Sequence, residues 1–65
     1  MKMEADERKK QIRQAAMKVF LDKGFRNTVM NDIMEATGLS RGGLYHHYGS
    51  TYEILYDIML EGNKY

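Results

Sequence analysis

Residues 37–48 bring together one arginine, two adjacent histidines and two tyrosines, and this stretch contains no acidic residue. Guanidinium, imidazole and phenol groups all donate hydrogen bonds, and charged donors bind anions most strongly. The same stretch predicts a helix that ends at Gly38, a short turn, and a second helix that begins after Ser40. The first turn of a helix has free N–H groups and the positive end of the helix dipole, which suit an anion. DNA is the anionic partner that this combination indicates.

Several other kinds of chemistry find no support in the sequence. His46 and His47 are neighbours and point about 100° apart on a helix, so they cannot form the i, i+4 pair that chelates a metal. Cysteine is absent, which excludes a disulfide framework and a thiolate metal site. There is no phosphate-binding loop, no zinc-protease motif, no nucleophile elbow and no paired-carboxylate motif. The sequence therefore predicts no enzymatic activity, no metal site and no cofactor.

Two helices are predicted before the turn. Residues 7–23 have the i, i+3, i+4, i+7 spacing of a helix that packs one face on a core. Gly24 is predicted to end this helix, because glycine has no Cβ to oppose a left-handed conformation. Thr28 is predicted as the N-cap of a second helix over residues 29–37. This helix is too short to persist alone, so tertiary packing must hold it.

Two further helices follow the turn. The third is predicted over residues 41–48, with Ser40 as its N-cap. Leu44 and Tyr48 are four residues apart and fall on one face, so they can anchor this helix to a core. The S-x-x-E pattern of residues 50–53 predicts a capping box that begins a fourth helix.

The predicted fold is all-α: a three-helix, homeodomain-like helix-turn-helix domain with the start of a fourth, connecting helix. Residues 1–7 are predicted to be a frayed arm, residues 8–49 the helix-turn-helix domain, and residues 50–65 the connecting helix. The side chains predicted to be most buried are those of Ile12, Ala16, Val19, Phe20, Ile33, Leu39, Leu44 and Tyr48.

The charge is unevenly distributed along the chain. The net charge is only +1, but residues 8–26 hold seven basic residues and one acidic residue, a net charge of +6. A basic first helix fits a nucleic-acid surface, although charge alone favours an ordinary solvated helix face. No apolar run is long enough to span a membrane, and residues 1–7 lack the apolar segment of a signal peptide. A cytoplasmic location is the resulting expectation.

These motifs carry a resemblance to a known family. Over about residues 12–55 the chain resembles the N-terminal DNA-binding region of tetracycline-repressor (TetR) family regulators. The matching residues are Gly24, Phe25, Thr28, Ile33, Gly38, Leu39, Ser40, Gly42, Leu44, Tyr45, His47, Tyr48 and Ser50. The resemblance implies a bacterial-type transcriptional regulator, most often a repressor, whose third helix enters the major groove of an operator.

The resemblance also implies which residues contact DNA: Thr28, Ser40, Arg41, Gly42, Gly43, Tyr45, His46, His47 and Thr51. Arg41 is the expected base reader because a guanidinium can bind guanine O6 and N7, with a phosphate contact as the competing role. Tyr45 and His47 match the family's phosphate-contacting pair, but Tyr45 could instead be a half-buried core aromatic. Gly42 and Gly43 either allow the backbone close to DNA or simply mark a weak helix start.

The sequence departs from the family in two ways. Family members often have lysines at the positions of Gly49 and Thr51, so two potential phosphate contacts are missing. They also carry a long helical C-terminal domain that forms a homodimer and binds a small-molecule inducer. We expect both functions to lie outside this chain, which is interpreted as an excised or separately ordered DNA-binding domain.

One alternative belongs to another class of protein. Tyr52, Tyr56, Met59 and Leu60 could form the exposed face of a small helical protein-interaction module. Salt-dependent DNA binding would separate the two hypotheses.

Overall fold

The computed structural model describes the backbone of residues 3–62 and the side chains of residues 6–62. Four α-helices follow one another: α1 (Met3–Lys23), α2 (Met30–Thr37), α3 (Arg41–His47) and α4 (Thr51–Gly62). A 3₁₀ turn, Phe25–Asn27, joins α1 to α2. Residues 3–62 include no strand, and the predicted all-α helix-turn-helix fold is confirmed.

The ends of α1 and α3 differ from the prediction. α1 begins at Met3 rather than Glu7, where acidic side chains such as that of Asp6 favour the positive end of the helix dipole. α3 ends at His47, and Tyr48 adopts extended backbone as its C-cap. The predicted division of the chain into an arm, a domain and a connecting helix, with boundaries after residues 7 and 49, stays a prediction. Residues 1–2 of the arm and residues 63–65 of the connecting helix lie outside the described part of the chain.

One hydrophobic core joins the four helices. Its buried side chains are those of Ile12, Ala16, Phe20, Ile33, Leu44, Tyr48 and Ile54. Six of these were predicted, whereas Val19 and Leu39 are only half-buried and pack against the core. Ile54 is fully buried. The sequence placed it on the apolar face of the fourth helix but not among the most buried side chains, because the burial of α4 depends on how that helix crosses α1.

The turn before α3 has the predicted geometry. Gly38 is left-handed, with φ +78°, and its N–H donates to the carbonyl of Met34 at 2.8 Å. The hydroxyl of Ser40 accepts a hydrogen bond from the N–H of Gly43 at 3.1 Å, so Ser40 is the N-cap of α3. Local sequence therefore fixes both ends of the turn.

The predicted role of Thr28 as the N-cap of α2 is wrong. Val29 occupies that position, and its N–H donates to the carboxylate of Asp32 at 2.9 Å. The preceding 3₁₀ turn points Thr28 inward, where it is 5% exposed and its hydroxyl donates to the carbonyl of Gly24 at 2.8 Å. α2 therefore starts one residue later than the Thr-based prediction.

The predicted capping box of α4 is present in modified form. The hydroxyl of Ser50 accepts from the N–H of Glu53 at 3.3 Å, as predicted. The carboxylate of Glu53 accepts from the N–H of Gly49 at 2.8 Å rather than from that of Ser50. The return hydrogen bond thus fixes the link between α3 and α4 one residue earlier than in the usual box.

Candidate nucleic-acid interface

α3 has one buried face and one exposed face. Leu44 is fully buried and Tyr48 is 4% exposed, so both predicted anchors hold the helix on the core. The opposite face carries the predicted site residues: Arg41, Gly42, Tyr45 and His46 are exposed, and Gly43 and His47 are half-buried. The helix therefore presents a surface without carboxylates while its position is fixed by apolar packing.

Arg41 and Tyr45 contact each other on this exposed face. The guanidinium carbon of Arg41 lies 5.4 Å from the centre of the Tyr45 ring, within the range of a cation–π interaction. Tyr45 is 39% exposed and is absent from the buried core, so the alternative role as a core aromatic is not supported. The tyrosine ring can hold the guanidinium near the start of α3.

Gly42 and Gly43 have different surroundings. A Cβ built on Gly42 would meet no heavy atom within 4 Å, so that backbone is open. A Cβ on Gly43 would lie 3.2 Å from the hydroxyl oxygen of Ser40, the cap of α3. The glycine at 43 therefore has a local packing reason within the protein, whereas the one at 42 has none.

His47 lies in a positively charged part of the structure. Its ring centre is 5.0 Å from that of His46, with the rings nearly perpendicular. Partial burial lowers the pKa of His47 below its usual value, and the charges of His46, Lys9 and Arg8 lower that pKa further. Lys9 and Arg8 come from α1; the sequence indicated a basic first helix but not which of its residues lie beside α3.

Asp57 links three helices behind the exposed face. One carboxylate oxygen of Asp57, on α4, accepts from the hydroxyl of Tyr48 at 2.5 Å and from the guanidinium of Arg13, on α1, at 3.2 Å. The hydrogen bond from Tyr48 lowers the pKa of Asp57, and Arg13 lowers it further against the effect of burial. Burial and the bond to Asp57 raise the pKa of Tyr48 to about 12, so its phenol remains a donor.

A comparison of the sequence with protein families decides the classification. The family described as bacterial regulatory proteins, tetR family, matches residues 12–58. The chain belongs to the TetR family. Its helix-turn-helix comprises α2, the turn at 38–40 and α3, and the predicted membership of this family is confirmed.

Curated relatives agree with this membership. The chain is 44% identical over 57 residues to the uncharacterized HTH-type transcriptional regulator YfiR of Bacillus subtilis, covering 88% of this chain and 28% of that protein. It is 31% identical over 52 residues to the repressor KstR2 of Mycolicibacterium smegmatis, covering 80% and 25%. It is 35% identical over 54 residues to the activator FasR of the same species, covering 83% and 25%. The chain thus spans about a quarter of the length of these regulators, none of which is named as an enzyme.

The remaining predicted TetR-family contacts lie outside α3. Thr51 is half-buried at the first residue of α4, and Ser40 is exposed while its hydroxyl caps α3. Thr28 is buried, and its hydroxyl hydrogen already bonds to Gly24, so the structure gives it no free donor for a phosphate. Of the predicted set, only Thr28 has its side chain turned into the protein.

The face proposed for protein interaction is also exposed. Tyr52 is 73% exposed, Tyr56 64%, Met59 56% and Leu60 45%. Family membership nevertheless favours the DNA-binding interpretation. No helix among the described residues combines the length and apolar character needed to cross a membrane.

Proposed function

We propose that this chain binds double-stranded DNA sequence-specifically, with α3 in the major groove. The observation that carries the proposal is the two-faced character of α3. Its buried side is anchored by Leu44 and Tyr48, and its exposed side offers donors without a single carboxylate. A negatively charged groove is the complementary surface for such a helix.

Each exposed residue of α3 has a proposed role. Arg41, in the first turn, reads a base edge, and Tyr45 and His47 donate to phosphates, which fix the register but carry no sequence information. Gly42 lets the backbone approach the DNA, which its open surroundings support. A phosphate contact by Arg41 is the competing assignment, and the two are separated by their effect on base preference.

We further propose that the complete regulator acts as a repressor by occupying its operator. The named relatives include both a repressor and an activator, so family membership alone does not decide the direction of regulation. Homodimerisation and inducer binding are assigned to a C-terminal domain outside this sequence. The proposed site of action is the cytoplasm, where a bacterial regulator meets its DNA.

The isolated 65-residue chain should bind DNA weakly. We expect a Kd on the order of 10⁻⁴–10⁻⁶ M, because one small domain neutralises few phosphates. The affinity should fall as salt rises, because each phosphate contact releases counterions. Gly49 and Thr51 contribute no charge where related regulators often have lysines. A dimer would bind more tightly, because it holds two half-sites at a fixed spacing.

Selection from a random pool of DNA duplexes tests the proposal. The wild-type chain should enrich a short half-site, and binding should weaken as salt rises. Leu60→Ala, on the exposed face of α4, is the matched control because it should change neither result. Failure to retain any duplex at low salt would contradict DNA binding and favour the protein-interaction module.

A further inference from the structure

α1 places a lysine beside the end of α3. Lys9 is half-buried, and its Nζ lies 5.3 Å from the centre of the Tyr48 ring. Tyr48 directly follows His47, and Lys9 and His47 line the same open groove on the surface. An ammonium group from α1 thus lies close to the imidazole at the end of α3.

The acidic side chains along this groove have other partners. Asp57 accepts hydrogen bonds from Tyr48 and Arg13, and Glu53 accepts one from the N–H of Gly49. No carboxylate lies within ion-pair distance of Lys9 in the part of the chain that the structure describes. Lys9 attracts Asp57 at longer range, without forming an ion pair, and its ammonium group can also bind an external anion.

We propose that Lys9 and His47 together bind one phosphate of the DNA backbone, so that α1 extends the DNA-binding surface of α3. The inference rests on the proposed function and adds a residue that neither the family motif nor the sequence assigned to the site. An ammonium and an imidazole at one place can both donate to a phosphate oxygen. A contact of this kind fixes the position of α3 on the duplex without reading its sequence.

Proton uptake is a consequence of this arrangement. In the free chain, burial and the positive charges of His46, Lys9 and Arg8 lower the pKa of His47. Glu53 and Asp57 of α4 line the same groove but are held by the hydrogen bonds given above. A phosphate between Lys9 and His47 would favour the charged imidazole, so the pKa of His47 should rise on binding. Binding should then tighten as pH falls from about 8 to 5.

The test compares Lys9→Met with Lys18→Met on a labelled duplex of mixed sequence. Lys18 is an exposed lysine on the same helix and lines a different groove, so its loss removes the same charge elsewhere. The slope of log K against log salt should fall in magnitude by about 0.9 for Lys9→Met and stay unchanged for Lys18→Met. The advantage of wild type over Lys9→Met should shrink by about eightfold for each tenfold rise in salt. Lys9→Arg keeps the charge and should keep the slope.

Titration of the His47 ring by NMR supplies a second measurement. Lys9→Met should raise the pKa of His47 in the free chain, and Lys18→Met should not. Equal salt slopes for Lys9→Met and Lys18→Met, with DNA binding retained, would overturn the Lys9 site and leave the proposed function intact. If the wild-type chain bound no duplex at all, both proposals would be wrong.

Discussion

Arg41 and His47 lie at opposite ends of α3 and in different surroundings. Arg41 is exposed beside Tyr45, with a long side chain that can extend from the first turn into a groove. His47 is half-buried near α1, where its short side chain reaches only a nearby partner. These positions favour base reading at one end of the helix and phosphate contact at the other.

Substitution of the two residues separates these roles. Arg41→Ala should cost about 1–3 kcal/mol on the preferred duplex and relax the preference at one base pair. His47→Ala should weaken binding to preferred and scrambled duplexes about equally, since a phosphate is the same in both. Both variants are measured on both duplexes at one salt concentration. The opposite pattern would mean that the roles are reversed.

The pH response of His47 has a defined direction. Because its pKa in the folded chain is lowered, the neutral form is favoured by folding. This preference stabilises the folded chain at pH values above the ordinary histidine pKa of about 6.5. The stabilisation is lost as pH falls through the lower pKa that His47 has in the folded chain. His46→Ala should raise the pKa of His47 by removing one neighbouring positive charge. An NMR titration with an unchanged midpoint would exclude this coupling.

At the scale of the element, the first turn of α3 contains two glycines in different surroundings. Position 42 is open, whereas a side chain at position 43 would crowd the capping hydroxyl of Ser40. A helix with glycine at both positions is weakened by up to about 1 kcal/mol per glycine relative to alanine. If Gly42 has a function in DNA binding, a substitution that stabilises the helix at this position should weaken the binding of DNA.

Gly42→Ala should stabilise the fold by up to about 1 kcal/mol and weaken DNA binding, because the methyl group holds the backbone away from the duplex. Gly43→Ala is a control for stability alone, and its gain in stability should be smaller because the Ser40 cap must shift. Thermal denaturation and DNA titration give the two quantities. If the Gly42→Ala variant were more stable and kept its full DNA affinity, Gly42 would mark only a weak helix start and would have no role in DNA binding.

The polar contact between α1, the end of α3 and α4 depends on Asp57. Tyr48→Phe keeps the buried ring but removes the hydroxyl that donates to Asp57, so the pKa of Asp57 should rise toward its ordinary value. Because the pKa of Asp57 is lower in the folded chain, its carboxylate stabilises the fold at pH values above its pKa in the unfolded chain. This stabilisation is lost as pH falls through the pKa in the folded chain. Tyr48→Phe should thus cost about 1–3 kcal/mol at neutral pH and lose less stability on acidification.

Urea denaturation of Tyr48→Phe at neutral and acid pH measures this effect. Tyr52→Phe is the control, because Tyr52 is 73% exposed and its loss of a hydroxyl should not matter. If Tyr48→Phe and wild type had the same free energy of unfolding at neutral pH, the hydrogen bond from Tyr48 to Asp57 would contribute nothing to stability.

The whole molecule is stabilised by one small core. Domains of this size have little free energy in reserve, so the loss of a single buried side chain can unfold them. Leu44→Ala should cost about 2–5 kcal/mol, because Leu44 is fully buried and connects α3 to the core. Leu21→Ala removes the same atoms from a side chain that is 79% exposed and should have little effect. Cooperative melting of Leu44→Ala at an unchanged midpoint would contradict the core assignment.

The sequence by itself determined the features that depend on near neighbours. Gly38 and Ser40 define the turn because a left-handed glycine and a capping hydroxyl act within four residues of themselves. Leu44 and Tyr48 were predicted as anchors from their i, i+4 spacing alone. Family motifs in the same stretch sufficed to identify the helix-turn-helix.

Only the tertiary structure decided which distant residues meet. Arg13 and Asp57 are 44 residues apart in the sequence but form an ion pair, and Lys9 reaches the ring of Tyr48. The inward turn of Thr28 likewise follows from the path of the chain after α1. Helical periodicity specifies which face of a helix is apolar, but the crossing of helices depends on side chains packing against each other across the core. The polar partners at those crossings were therefore fixed by tertiary packing rather than by local sequence.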